Sequence, residues 1–590
     1  MNLMLVNLTR FGDLLQTQPV VHGLRAQGHR VGLVCLENFA GAAALLEGVD
    51  HVAALPGSAL LAGIQTGGDW RACTAGLLTW AGRLREAYAP DAVLNLTATL
   101  GGRLLGRLLA GNGNGGTGES GGAGGAGGDL RGFGLDPFGF GINADPWSAF
   151  LQASTRQRGC SPFNLVDLFR MAAGVGDVDP VYQLRAPAPD DLAEAGARLA
   201  QAAPPDHAGY VAMQLGASEE RRRWPVAHFA ALAAQLWREL RLVPVLLGAG
   251  GERTLGERLR AALAEDAGRA GAAPTPCIDL IGATNLPQLA ATLRHMRLLV
   301  TNDTGTMHLA AGLDVPVLAI FLATAQPWDT GPYRQDCCCL EPALDCHPCP
   351  FGVPCPHDER CRQVISADTA FALVRSQLTT GRWAPSDASP EVVPASALGV
   401  PPEARVWRTQ CEADAPPALS SGIVMPGRGF MDLVSLSGHE AEDRTRWIRL
   451  QRHFYRQFLD RSPAHSVGQP AAAGGSGPVI LPPQAPPALS DTLRNRAVDE
   501  LRQADALLHL LGEQGGLLKV RPSDMAKSRF LGTVSRVQAL WDNSTLFNVL
   551  GHLWLCESQG AGGTLDAVLA LAAAYRGLVR AWLAHLSPSA

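Results

Sequence analysis

Four polar clusters in this chain each follow a short apolar run and hold the side chains that proton transfer and phosphate binding require. Asp13 ends Thr9-Arg10-Phe11-Gly12-Asp13, just before a helical pattern. A carboxylate placed there can take a proton from an attacking hydroxyl. It can equally be an ordinary N-cap, a position that favours Asp and contributes about 1 kcal/mol. In Gln214-Leu215-Gly216-Ala217-Ser218-Glu219-Glu220-Arg221-Arg222-Arg223-Trp224-Pro225, small residues would let an anion reach the backbone. The Arg222 guanidinium matches phosphate oxygens there; the plainer reading is a solvated basic turn. Leu247-Gly248-Ala249-Gly250-Gly251-Glu252 leaves room for a nucleotide, with Glu252 able to accept from ribose hydroxyls. No Lys-Ser/Thr follows it, so it is not a Walker loop. The fourth cluster is the most specific: Asn302-Asp303-Thr304-Gly305-Thr306-Met307-His308 between a buried run and an Ala-rich helix. Amides at Thr304, Gly305 and Thr306, aided by the helix dipole, suit a diphosphate. His308 lies one turn in, on the side of Thr304; otherwise it is a core histidine satisfied by backbone.

The elements that must position these clusters follow from periodicity. Buried runs at Leu3–Asn7, Val31–Cys35, His51–Ala54 and Ala92–Leu96 read as strands, separated by helical patterns over 14–27, 38–47 and 76–89. A second such unit has strands at Tyr210–Gln214, Val243–Leu247, Cys277–Leu280, Leu298–Thr301 and Val317–Phe321. Alternation of this kind predicts parallel sheets covered by helices, with ligands at the carboxyl ends of the strands. The expected domains are an N-terminal Rossmann-like lobe over 1–185 with a Gly-rich insertion at 111–128, and a second lobe over 205–382. A linker over 383–429 and a helical region over 430–590 follow. The helical region contains a further linker at 462–489, a stripe of Trp447, Leu450, Phe454 and Phe458, and about four helices after 490.

Composition bounds the function classes. The net charge of −5, from 49 Lys+Arg and 54 Asp+Glu, gives no global support for nucleic-acid binding. All fixed cations are Arg except Lys519 and Lys527. The N-terminus lacks a basic start and is broken by Arg10 and Asp13, so it does not read as a secretion signal. No run approaches the roughly 18 uncharged apolar residues of a membrane span. A cytoplasmic protein, peripheral at most on the inner face of the cytoplasmic membrane, is expected. Cys346, Cys349, Cys355 and Cys361 could hold a structural zinc, but their spacing fits no standard double CxxC ribbon. A reduced or partly disulfide-linked loop is the default for the Cys-rich segment 337–361.

The segments TRFGD, GASEERRRWP, LLGAGGE and NDTGTMHLAAGLDVPVLAIF, in this order, resemble glycosyltransferase family 9, the lipopolysaccharide heptosyltransferases, over roughly residues 1–380. Asn164-Leu165-Val166-Asp167 also fits. The resemblance implies a GT-B fold, with an N-terminal acceptor lobe and a C-terminal lobe for an ADP-sugar. By position it makes Asp13 the catalytic base and puts Ser218 and Arg222 on the donor phosphates. It likewise puts Glu252 on ribose, and Asp303, Thr304, Gly305 and His308 along the diphosphate and sugar. The family usually has Lys where this chain has Arg222. The activity implied is inverting, metal-independent transfer of a heptose or related sugar from an ADP-sugar to a lipopolysaccharide core or other envelope glycan, with no cofactor required. A nucleotide-sugar epimerase or hydrolase of the same fold, and a non-catalytic sugar-nucleotide binding protein, are the alternatives.

Overall fold

The computed structural model describes residues 1–60, 69–111, 129–136, 138–156, 161–383, 403–411, 429–461, 480, 489–561 and 564–587. Most of the Gly-rich insertion at 111–128 and of the linker at 462–489 lies outside these residues.

Two sheets organise the chain. The first contains β1 (Asn2–Val6), β2 (Arg30–Leu36), β3 (Val49–Leu55), β4 (Ala92–Asn95), β5 (Asp129–Leu135) and β6 (Gly141–Asn143), in the order β3-β2-β1-β4-β5-β6. All its pairs are parallel except β5 with β6. The second contains β7 (Gly209–Gln214), β8 (Leu242–Leu247), β9 (Ile278–Asp279), β10 (Leu298–Asn302), β11 (Val317–Ile320), β12 (Cys338–Pro342), β13 (Ala404–Cys411) and β14 (Met431–Ser435). Its order is β14-β13-β12-β11-β10-β7-β8-β9. The parallel part, β9-β8-β7-β10-β11-β12, repeats the winding of the first sheet. In both, strand order reverses beside the first strand, between β1 and β4 and between β7 and β10. At such a reversal the connections leave in opposite directions and open a crevice at the carboxyl ends of the strands.

All nine strands expected from periodicity are present, because runs such as Leu3-Met4-Leu5-Val6 are fully buried on both faces of a parallel sheet. The helical pattern over 14–27 is two helices, Phe11–Leu15 and Gln18–Ala26, divided at Thr17 with Pro19 in the first turn of the second. The segment 38–47 keeps only a short helix, Ala40–Ala43, and the third pattern becomes Trp70–Tyr88.

The expected linker over 383–429 is corrected. Trp383 is buried, and β13 inside that range pairs antiparallel with β12. Residues 384–402 and 412–428 are outside the description. The region from 430 is likewise not wholly helical, since it opens with β14 on the edge of the second sheet. The expected stripe then appears on helix Asp443–Leu459, where Trp447, Leu450, Phe454 and Phe458 are all buried. Four described helices follow: Asp491–Val520, Asp524–Asp542, Asn548–Ala561 and Leu565–Leu586. The last is long and apolar enough to cross a membrane. Its apolar face is nevertheless occupied, with Trp582 ring centroids 4.3 Å from Phe454 and 5.0 Å from Trp447.

This tail returns to the first half of the chain. Trp147 Nε1 donates to Asp460 at 3.0 Å, and the Arg452 guanidinium bonds the carbonyls of Pro162 and Met431 at 3.0 and 2.9 Å. Helix Asn548–Ala561 packs on helix Pro146–Arg156. A buried charge cluster fixes where the tail begins. Glu341, on β12 and fully buried, accepts from Arg444 at 2.6 Å and from Trp407 Nε1 at 3.0 Å, and Arg405 lies 4.0 Å away. Burial alone would raise this carboxyl, but Arg444, His347 and Arg405 hold it below the ordinary carboxylate range. Glu341→Gln leaves these arginines facing a neutral amide in a buried site. The expected cost is on the order of 3 kcal/mol, to be read as a lower denaturant midpoint.

Candidate active site

A cavity of about 790 Å³ lies at the facing crevices of the two sheets. Its wall contains every residue that the sequence nominates for donor binding and catalysis: Asp13, Ser218, Arg222, Glu252, Asp303, Thr304, Gly305 and His308. Each arrives from the carboxyl end of a strand: Asp13 after β1, Ser218 and Arg222 after β7, Glu252 after β8, and the remainder after β10.

Asp13 is not the N-cap. Arg10 holds that position, and Asp13 sits in the first turn of helix Phe11–Leu15, half-buried and on the cavity wall. Opposite it is helix Gly305–Gly312, with Thr304 as N-cap. The Thr304 side chain does not cap this helix, and its Oγ1 lies 3.2 Å from Thr301 Oγ1. The positive end of the helix dipole therefore faces the cavity. The two helix starts touch through glycine. A Cβ on Gly12 would lie 3.0 Å from both Gly305 Cα and His308 Cδ2, and one on Gly305 would lie 2.3 Å from the Phe11 ring.

The arginine cluster is not a solvated turn. Arg221 pairs with Glu219 and bonds the Val353 carbonyl, while Arg223 bonds the Ala217 carbonyl. Arg222, only 8% exposed, donates to Ser218 Oγ at 3.0 Å and to Asp303 Oδ2 at 2.5 Å. Thr330 donates to the same Asp303 oxygen at 3.2 Å. The guanidinium is thus oriented before any ligand arrives. Its buried Nε has no hydrogen-bond partner among the described residues, and a buried donor left unsatisfied costs free energy. Asn302 supports this wall from beneath: its amide nitrogen donates to the carbonyls of Leu215 and Gly216, and its oxygen accepts from Trp224 N–H.

Glu252 accepts from Ala249 N–H at 2.8 Å and from Gln214 at 3.1 Å. Gly216 is needed beside it, because a Cβ there would overlap the Glu252 carboxylate. His308 is 5% exposed, and its ring meets Gln16, whose Nε2 lies 3.0 Å from Nδ1. Three contributors were not singled out from sequence. Gln16 crosses between the halves, Gln214 links Glu252 to Thr306, and Thr330 anchors Asp303. Gln214 ends a predicted strand, which is a usable signal. Gln16 and Thr330 carry none, since their partners lie far along the chain.

The Cys-rich segment divides in two. Cys337, Cys338 and Cys339 are fully buried, the last two on β12, where they serve as small apolar side chains. Cys346, Cys349, Cys355 and Cys361 are free thiols, the reduced form of the expected loop. Burial, with these neighbouring thiols adding to it, pushes the Cys349 thiol up to about 11. Among the described residues no group of three or more His, Cys, Asp or Glu is arranged to hold a metal ion.

Residues 168–356 match the model of glycosyltransferase family 9 (heptosyltransferase). Over these residues, less than half of the chain, the sequence is similar to that family. The matched residues include the arginine cluster, Glu252 and the helix start at Gly305. Lipooligosaccharide heptosyltransferase 2 of Haemophilus influenzae is 34% identical over 104 residues, 18% of this chain and 28% of that protein. Lipopolysaccharide heptosyltransferase 1 of Pseudomonas aeruginosa is 32% identical over 164 residues, 28% of this chain and 42% of that protein. The matches thus span well under half the length of these curated relatives. Among solved structures, E. coli ADP-heptose lps heptosyltransferase II is 17% identical with a TM-score of 0.44, over 65% of this chain and 99% of that one.

Gly305→Ala must displace Phe11 and so part the two halves of the cavity. Overpacking of this kind costs about 1–3 kcal/mol, which should appear as a lowered thermal midpoint. Gly250→Ala, whose Cβ would meet nothing within 4 Å, should leave the midpoint where it is.

Proposed function

We propose that this chain is a glycosyltransferase of the GT-B type. On this reading it moves a heptose, or a related sugar, from an ADP-sugar to a lipopolysaccharide core or other envelope glycan at the inner face of the cytoplasmic membrane. The observation that carries the reading is the shared cavity: a carboxylate from one sheet and an anion-binding helix start from the other line the same 790 Å³.

The chemistry follows from that opposition. The donor diphosphate lies on the amides that open helix Gly305–Gly312, beside Arg222 and Ser218, and Glu252 accepts from ribose. The acceptor hydroxyl enters from the Asp13 side and attacks the anomeric carbon. Its proton passes to Asp13 as the carbon–oxygen bond to the diphosphate breaks on the opposite face, so the configuration inverts. Charge on the leaving diphosphate is met by fixed dipoles and a pre-oriented guanidinium. The step as written uses neither a metal nor a cofactor.

Asp13→Asn should keep ADP affinity, measured by calorimetry, and lower transfer by about 10²–10⁴-fold; near wild-type transfer would reject Asp13 as the base. ADP release from ADP-heptose, with and without a core-oligosaccharide acceptor, separates transfer from hydrolysis: acceptor-dependent release is expected. Arg222→Lys keeps the charge but cannot reach Ser218 and Asp303 in two directions at once. The donor KM should rise about tenfold with a smaller change in kcat.

A further inference from the structure

The chain's two lysines, Lys519 and Lys527, both lie near the turn that joins the first two helices after residue 490. Helices Asp491–Val520 and Asp524–Asp542 form an antiparallel hairpin joined by three residues. At its tip Val520 is 77% and Met525 65% exposed; one to two turns further back Leu517 is 65% and Leu531 51% exposed. Single exposed apolar residues are normal, but a cluster of four at one tip marks a surface that something covers.

The charges say what covers it. Between 517 and 531 stand Lys519, Arg521, Lys527 and Arg529 against the single acid Asp524, in a chain whose net charge is −5. Lys519 pairs with Asp566, whereas Arg521, Lys527 and Arg529 make no ion pair among the described residues. Exposed apolar side chains interleaved with unneutralised cations are the composition of segments that lie in a lipid headgroup layer. The apolar groups enter the acyl boundary and the cations meet lipid phosphates. The hairpin base is meanwhile secured in the tail core through Leu501, Leu508 and Trp541.

We propose that this hairpin tip docks the protein on an anionic phospholipid surface. The proposal does not depend on the transferase reading, because binding is measured without turnover. The test is co-sedimentation of the full chain with phosphatidylcholine vesicles, with and without phosphatidylglycerol, at low and high salt. The expected result is sedimentation only with the anionic vesicles, released by salt. Lys527→Glu with Arg529→Glu should weaken it about tenfold or more, and Leu517→Ser with Met525→Ser should also weaken it. All four positions are exposed, so thermal midpoints should stay unchanged, and that control separates lost docking from lost folding. Three results would overturn the proposal: no binding to either vesicle, equal binding to both, or binding unchanged in both tip variants. Loss of binding on Phe138→Ser with Phe140→Ser instead would move the lipid-facing surface to the β5–β6 turn and equally overturn it.

Discussion

The backbones of Gly12 and Gly305 meet with no side chain between them, and the candidate site exists because of that contact. Each glycine begins a helix at the reversal point of its own sheet, so bringing the two together aligns two crevices into one cavity. A carboxylate one residue beyond Gly12 then faces the amide end of the helix that Gly305 opens. Any β-carbon at this contact has to be accommodated by moving one half of the molecule against the other, since packed interiors do not yield by small continuous shifts.

Around that contact the polar groups are committed in advance. Arg222 is fixed by Ser218 and Asp303, Asp303 by Thr330, Glu252 by Gln214 and Ala249, and His308 by Gln16. Preorganised dipoles and charges need little reorganisation when a charged ligand arrives, which is where electrostatic stabilisation is most effective. The arrangement has a cost. The Arg222–Asp303 pair partly neutralises the cation that would meet a phosphate, and both side chains are almost out of water. Such a pair contributes orientation more than net stability.

The tail extends this commitment to the outer shell of the molecule. Arg444 bonds Glu341 on β12 and, through its other nitrogen, Gln326 at 3.0 Å, four residues before Thr330. The same helix then crosses to the first half and ends at the Asp460–Trp147 bond, on the helix that supplies Thr155 to the cavity wall. The tail is thereby a brace spanning both sheets, with its hairpin tip left exposed at the far end.

What the sequence by itself determined is local and periodic. Continuous buried runs announced nine of the fourteen described strands, and the 3.6-residue stripe announced helix Asp443–Leu459, because each pattern records which face of its own segment leaves water. The polar clusters were legible for the same reason: each directly follows a strand that could be recognised. Strands β13 and β14, at one side of the second sheet, were not legible. Their short alternation sits among Pro- and Ala-rich residues, and their pairing partner β12 was itself disguised as a cysteine cluster. Only the tertiary structure decided that Asp13 shares a cavity wall with the helix start at Gly305, and that Gln16 holds a histidine 292 positions away. Contacts of that kind depend on how two sheets are brought together, and no periodicity within one segment records the identity of a distant partner.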